Sequence, residues 1–284
     1  MNNRIIVGVS GNKTGDSALE WALEYAGAHH SEVELVHVVD DRWSILSKSL
    51  TGTALLDAEH EMRLRAEQGS ETHTTLLVHP AVVEGDPLQT LVDKAQGADL
   101  LVIGTHELSR FRGLIFSTRA AHIAALSPTS VAVIPTGREL TGTGVVVGVD
   151  GSASSIAAVE FAAKEADRLQ QPLKAVYAWR ALTPWALEDE FEPQEPTDSD
   201  RLILSEAVAG LAEEYPDLSL ELDLSPELPA DALLEASAGA RLLVVGTHGR
   251  HGVAKLWLGS VSHELILAMP CPVVVIKPPA PPER

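Results

Sequence analysis

The stretch Val244–Ser262, VVGTHGRHGVAKLWLGSVS, decides how this chain is to be read. Leu242 to Val245 is a short apolar, β-branched run with the length of a buried strand. It stops at Gly246. Gly249 follows after two residues, and after nine more comes Gly259-Ser260-Val261-Ser262, which opens a helical pattern through Leu265, Ile266 and Ala268. A strand that ends in glycines and leads through a loop to a helix start is an arrangement that binds phosphate. Glycines let the backbone approach an anion and turn successive N–H groups toward it. The helix opening near Gly259 adds unpaired amides and the positive end of its dipole, and Ser260 and Ser262 can add hydroxyl donors. Taken singly, Gly246 and Gly249 make a tight turn and Gly259-Ser260 caps a helix. Together, at this spacing after an apolar strand, they read as a phosphate site.

The same chain repeats itself. IIVGVSG at Ile5 to Gly11 returns as VVVGVDG at Val145 to Gly151, and ADLLVIGTH at Ala98 to His106 returns as ARLLVVGTH at Ala240 to His248. The run SVAVI ending at Ile134 returns as PVVVI ending at Ile276. A period of about 140 residues is far too long for a solenoid and marks a duplicated domain. The copies are expected at residues 1–137 and 143–279, joined through PTGRELTGTG at Pro135 to Gly144, a composition suited to a linker.

In each copy, Val-, Ile- and Leu-rich runs alternate with helical patterns. The first copy reads as strands at Arg4–Val9, Glu34–Val39, Thr74–Val83, Asp99–Thr105 and Ser130–Ile134. Helices are expected at Ser17–His29, Asp57–Gly69, Pro87–Gln96 and Thr118–Ala125. The second copy repeats the order, with one helix expected over Arg201–Tyr215. Such alternation implies an α/β fold: two doubly wound domains, each a five-stranded parallel sheet covered on both faces. Ligands on such sheets bind outside the carboxyl ends of the strands, where the strand order reverses. Asp150, after the first strand of the second copy, and Gly246, after its fourth, meet at one crevice if those strands are neighbours.

Composition bounds the partners. The chain has 284 residues, 45% of them hydrophobic, and a formal net charge of −19. That charge argues against nucleic acid and against an anionic membrane. It also means that an anionic ligand must be held by local backbone donors. No apolar stretch approaches the roughly 20 residues of a membrane span. MNNRIIVGVS runs straight into a strand pattern without a secretory signal, so the cytoplasm is the expected location. Cys271, the single cysteine, is expected to be a buried thiol. His37 and His79 read as structural residues in strands, and His29-His30 as the end of a helix. The acidic stretch LEDEFEPQEPTDSD, Leu187 to Asp200, reads as a mobile loop, and the tail PPAPPER as an extended end.

On these residues the chain resembles a tandem universal stress protein. The resemblance rests on VVVGVDGSASSIAAVEFA, on VVGTHGRHGVAKLWLGSVSHELI and on PCPVVVIK, and it covers nearly the whole length. The family's nucleotide motif, Gly, two residues, Gly, nine residues, Gly and Ser or Thr, is met by Gly246, Gly249, Gly259 and Ser260. The resemblance implies a Rossmann-like sheet of order 3-2-1-4-5 with ATP between strands one and four. It places Asp150 and Gly151 after the first strand. The Asp150 carboxylate would accept hydrogen bonds from the nucleotide or hold a divalent ion, Mg2+, beside the phosphates. Ala178 falls where the backbone lies against adenine. Gly246, Gly249, Gly259, Ser260, Val261 and Ser262 fall at the ribose and phosphate contacts, and His248 and Arg250, further candidates for nucleotide binding, sit on the loop. Arg250 reads equally as a phosphate partner or a solvent-facing arginine.

The first copy departs where it matters. Asp150 is matched by Ser10, Gly249 by Glu107 and Gly259-Ser260 by Ser117-Thr118. Glu107 would put a side chain and a negative charge where backbone should approach phosphate, at a cost on the order of a few kcal/mol in a dry site. One nucleotide per chain is therefore expected, in the C-terminal copy. Arg110, Arg112 and Arg119 leave another anion, or a surface role, open for the first.

Three functions compete. A nucleotide-dependent stress or regulatory protein without fast turnover fits the absence of GxxxxGK[ST], GxSxG and HExxH motifs. A slow ATPase, or self-phosphorylation on Ser260 or Ser262, is the enzyme alternative. An interaction scaffold with structural nucleotide is the third. The apolar last strands, Val131–Ile134 and Val273–Ile276, suggest pairing of the two copies as an intrachain pseudo-dimer and a homodimer beyond it.

Overall fold

The computed structural model of the chain describes residues 3–10, 14–40, 48–73, 75–105, 109–136, 141–179, 195–249 and 258–278. The chain divides into two compact units, Met1–Arg138 and Glu139–Arg284.

The N-terminal unit runs β1 (Arg4–Val9), α1 (Thr14–His29), β2 (Glu32–Asp40), α2 (Lys48–Thr72), β3 (Val78–Gly85), α3 (Pro87–Lys94), β4 (Leu100–Thr105), α4 (Ser109–Leu126) and β5 (Ser130–Pro135). Its strands lie parallel in the order β3-β2-β1-β4-β5. The C-terminal unit runs β6 (Val145–Gly148), α5 (Ala153–Leu169), β7 (Leu173–Ala178), α6 (Asp198–Ala207), α7 (Leu211–Glu214), β8 (Leu220–Ser225), α8 (Pro229–Ala236), β9 (Leu242–Gly246), α9 (Ser260–Ala268) and β10 (Val273–Ile276). Its order is β8-β7-β6-β9-β10, again all parallel. The expected order 3-2-1-4-5 thus holds in each unit.

The central strands are apolar throughout because helices cover both faces. Ile5, Ile6 and Val7 of β1 and Leu101 and Val102 of β4 are fully buried, as are Val145 and Val147 of β6 and Leu243 and Val244 of β9. In the C-terminal unit α5 and α6 pack with one another, and α8 packs with α9, so each pair covers a face. Each copy also seats a leucine against a glycine of its first strand. A Cβ at Gly8 would lie 3.0 Å from Leu91 Cδ1, and one at Gly148 would lie 3.1 Å from Leu233 Cδ1. The repeated glycine of the VGV motif is therefore a packing device.

Four elements differ most from the sequence reading. The helix α2 starts at Lys48 rather than Asp57 and runs on through Gly69 to Thr72; the glycine sits against Leu23, where a Cβ would be crowded. The strand expected from Thr74 starts only at Val78, after a turn in which Leu76 N–H donates to His73 O. The helix expected over Arg201–Tyr215 is broken into α6 and α7 at Gly210, which takes φ +89° and opens α7. The helix expected at Thr118 begins at Ser109. Part of the acidic stretch is ordered too. Thr197 and Asp200 form a reciprocal cap at the start of α6, where Asp200 Oδ1 also accepts from the Tyr177 hydroxyl at 3.1 Å. Residues 187–194 of that stretch, and the tail after Pro278, lie outside the described residues.

Candidate functional site

The strand β6 pairs β7 on one side and β9 on the other, so the order reverses at its carboxyl end. Just past that end, Gly151 takes φ +75°, a left-handed turn that suits glycine. Asp150 sits before it, half-buried. Its Oδ1 accepts the Ser152 N–H at 2.9 Å. Its Oδ2 faces the glycine loop: a Cβ built on Gly249 would lie 2.7 Å from it. Asp150 and the Gly246–Gly249 loop therefore meet at one crevice.

The described ends of the loop are tied down. Thr247 N–H donates to Ile276 O at 3.1 Å, continuing the β9–β10 ladder past its last residue. Gly259 N–H donates to Thr247 O at 2.8 Å, bringing the far end of the loop back onto its beginning. The His248 carbonyl accepts the Ser154 hydroxyl at 2.6 Å and the Ser152 hydroxyl at 3.1 Å. The Ser262 hydroxyl donates to Gly246 O at 2.6 Å. Gly246 has no space for a side chain, since a Cβ there would lie 2.6 Å from Ser154 Oγ and 2.9 Å from the Ser154 carbonyl carbon. A Cβ at Gly259 would lie 3.1 Å from Thr247 O.

Gly259 is the N-cap of α9 and makes no side-chain cap. The first amides of a helix have no partner within it, so Ser260, Val261 and Ser262 present N–H groups at the crevice with the helix dipole behind them. Ser260 is exposed, Val261 half-buried and Ser262 buried. The structure thus gives Ser262 a different role from the one its sequence position suggested. Its hydroxyl hydrogen goes to the Gly246 carbonyl, so its donor toward an anion is the main-chain N–H. Ala178 ends β7, in register with Ser225 of β8 and one strand away from Asp150. Gly249 is exposed, while His248 Nε2 is buried and lacks a hydrogen-bond partner among the described residues. Arg250 lies outside the described residues.

A polyphosphate with a divalent ion fits this donor set. The orphaned His248 Nε2 and the uncapped amides of α9 are unused polar groups around the loop. Asp150 Oδ2 would hold Mg2+, which commonly takes one carboxylate and completes its shell with phosphate oxygens and water. Among the described residues no cluster of three or more His, Cys, Asp or Glu side chains forms a dedicated metal cage.

The N-terminal unit is built differently at the matching place. Thr118, the counterpart of Ser260, lies inside α4. Its amide is on the interior of a helix, where N–H groups are bonded to carbonyls one turn back. Glu107 falls outside the described residues. His37, His29 and Cys271 are structural. His37 Nδ1 lies 3.0 Å from Val9 O, the His29 ring packs against Tyr25 at 4.2 Å, and Cys271 is buried. His79, expected to be a structural residue of its strand, is instead exposed on β3.

Three residues of this site, Ser152, Ser154 and Thr247, have no place in the glycine motif. The clustered serines of DGSASS were the available signal, because hydroxyls just after a strand end are placed to cap a helix and bond a neighbouring loop. Among the described residues, no helix is long and apolar enough to cross a membrane.

The chain is 29% identical over 291 residues to a universal stress protein of Mycolicibacterium smegmatis, covering 96% of this chain and 97% of the relative. A universal stress protein of Mycobacterium tuberculosis is 30% identical over 294 residues, with 96% of each chain covered. The crystal structure of a universal stress protein from Archaeoglobus fulgidus superposes with a TM-score of 0.74 at 16% identity, over 98% of this chain and 97% of that one. A profile of the universal stress protein family matches twice, at residues 1–135 and 143–277. With that double match laid over two copies of one parallel sheet, the chain belongs to the universal stress protein family.

Proposed function

We propose that the C-terminal unit binds one adenine nucleotide, ATP with Mg2+, and that the chain acts in the cytoplasm as a nucleotide-dependent regulator of a stress response. The observation that carries this reading is the pairing of an uncapped helix start at Gly259 with a glycine loop pinned beside Asp150. Main-chain amides from both would grip the phosphates, Asp150 would hold the ion, and the Ala178 backbone would lie against adenine. The N-terminal unit stays empty of ATP in this reading, because its helix α4 already encloses Thr118.

The enzyme alternative narrows. Of the two hydroxyls available for self-phosphorylation, Ser262 is buried and committed to Gly246 O, leaving only the exposed Ser260. Phosphate release at background with saturating ATP and Mg2+ would remove turnover altogether. Homodimerisation, and pairing of the two copies as an intrachain pseudo-dimer, are further proposals; light scattering with and without ATP tests the first.

The decisive experiment is native mass spectrometry of the full chain with ATP, beside the Gly249→Glu variant. One ATP per wild-type chain is expected. The variant should bind at least about tenfold more weakly, since its side chain starts against Asp150 Oδ2 and adds a second carboxylate. Two equivalent ATP molecules per chain, or full affinity in the variant, would defeat this reading.

A further inference from the structure

We propose that Ser154 is a positioning residue of this site: by holding the His248 carbonyl, its hydroxyl turns the Gly249 N–H toward the bound phosphate. The proposal rests on the reading of the crevice as a nucleotide site. A trans peptide unit is planar, with its C=O and N–H pointing in opposite directions. Fixing the His248 carbonyl therefore fixes the Gly249 amide as well.

That carbonyl is drawn toward the start of α5 by two hydroxyls, Ser154 at 2.6 Å and Ser152 at 3.1 Å. The Gly249 N–H consequently faces away from α5, toward the face carrying α9 with its uncapped amides. Without such a tether, a glycine-flanked peptide can adopt either orientation at little steric cost. From the opposite face, Ser262 of α9 holds the Gly246 carbonyl, so the loop is gripped by hydroxyls from both sides of the sheet.

Ser154 carries this role more than Ser152. The Ser152 hydroxyl is also the N-cap of α5, accepting the Ser155 N–H at 3.2 Å, whereas Ser154 has the shorter bond to the loop and is only 5% exposed. The missing side chain at Gly246 belongs to the same device. A Cβ there would occupy the path that Ser154 Oγ takes past the strand end.

The test uses the full chain with Ser154→Ala, ATP and Mg2+, read by calorimetry and by the amide resonance of Gly249 in a nitrogen-15 spectrum. The variant should bind ATP about 5- to 30-fold more weakly, the range expected for losing one buried hydrogen bond. In the wild type, ATP should move the Gly249 amide proton downfield; in the variant that shift should be largely lost. Unchanged affinity would overturn the proposal. So would weaker binding with the wild-type Gly249 shift intact, because Ser154 would then act only through stability. If the wild type itself does not bind ATP, the nucleotide reading fails, and the ligand-free spectra judge Ser154 separately. A Gly249 resonance that broadens or splits in the variant supports the tether, and one that stays as in the wild type refutes it.

Discussion

Two glycines three residues apart do different work, and a single methyl group separates them. At Gly246 a Cβ meets Ser154 Oγ at 2.6 Å and the Ser154 carbonyl carbon at 2.9 Å. A backbone atom cannot rotate away, so Gly246→Ala must push α5 off β9. Overpacking of this kind costs about 1–3 kcal/mol, and thermal unfolding of the C-terminal unit should fall accordingly. At Gly249 the obstacle is the end of the Asp150 side chain, and the residue is exposed. Gly249→Ala should therefore leave the melting temperature nearly unchanged while weakening ATP binding, because the methyl displaces the carboxylate assigned to Mg2+. Should both variants lose stability equally, the division between packing glycine and ligand glycine is wrong. The glycines and Asp150 were legible in the sequence because their chemistry depends on what is missing or charged at one position. Ser154 was not, since the role proposed for it rests on a bond to a carbonyl 94 residues away. Ser262 was legible as a site residue, but the direction of its hydroxyl was not.

At the level of elements, the alternation of strand and helix followed from apolar runs, because a parallel sheet buried on both faces leaves a continuous signal, whereas the strand order came from the family resemblance. Helix ends were harder to place, and the reasons are local. Gly69 looked like a stop but is a contact point for Leu23, whereas Gly210, inside an apparently continuous helix, is the true break. The early start of α4 separates the two copies most sharply, and it falls in the segment where their sequences diverge. One edge pairing yields a pH test. Lys174 of β7 lies 2.7 Å from Glu221 and 3.7 Å from Asp223, both on β8. The hydrogen bond and charge of Glu221 raise the Lys174 ammonium above its ordinary 10.5, with Asp223 adding to the shift. A lysine whose folded value is raised contributes stability that is full below 10.5 and is lost as pH climbs through the folded value. Lys174 and Glu221 keep 30% and 64% of their side chains exposed, so the pair is worth no more than about 1 kcal/mol. Glu221→Ala should lower the melting temperature slightly at pH 7, and the difference from wild type should disappear in strong alkali or in high salt. A difference that persists in both would mean that Glu221 supports β8 through packing.

For the whole molecule the governing quantity is the net charge of −19 against a proposed ligand, ATP, that is itself a polyanion. The two act over different distances. Amide dipoles at the glycine loop and at the start of α9 work at hydrogen-bond range, where salt screens weakly. The repulsion from the protein's remaining carboxylates acts across many ångströms, and its range falls from about 30 Å at 0.01 M salt to about 8 Å at 0.15 M. Added salt should therefore remove more of the repulsion than of the attraction. The affinity for ATP, measured by calorimetry at fixed free Mg2+, is expected to hold steady or rise as sodium chloride increases over that range. Binding by a basic pocket behaves in the opposite way, weakening as cations compete for the phosphates. A steep loss of affinity with salt would assign the phosphates to lysine and arginine side chains. In that case the backbone grip between Gly246 and Ser262 could not be the main source of binding.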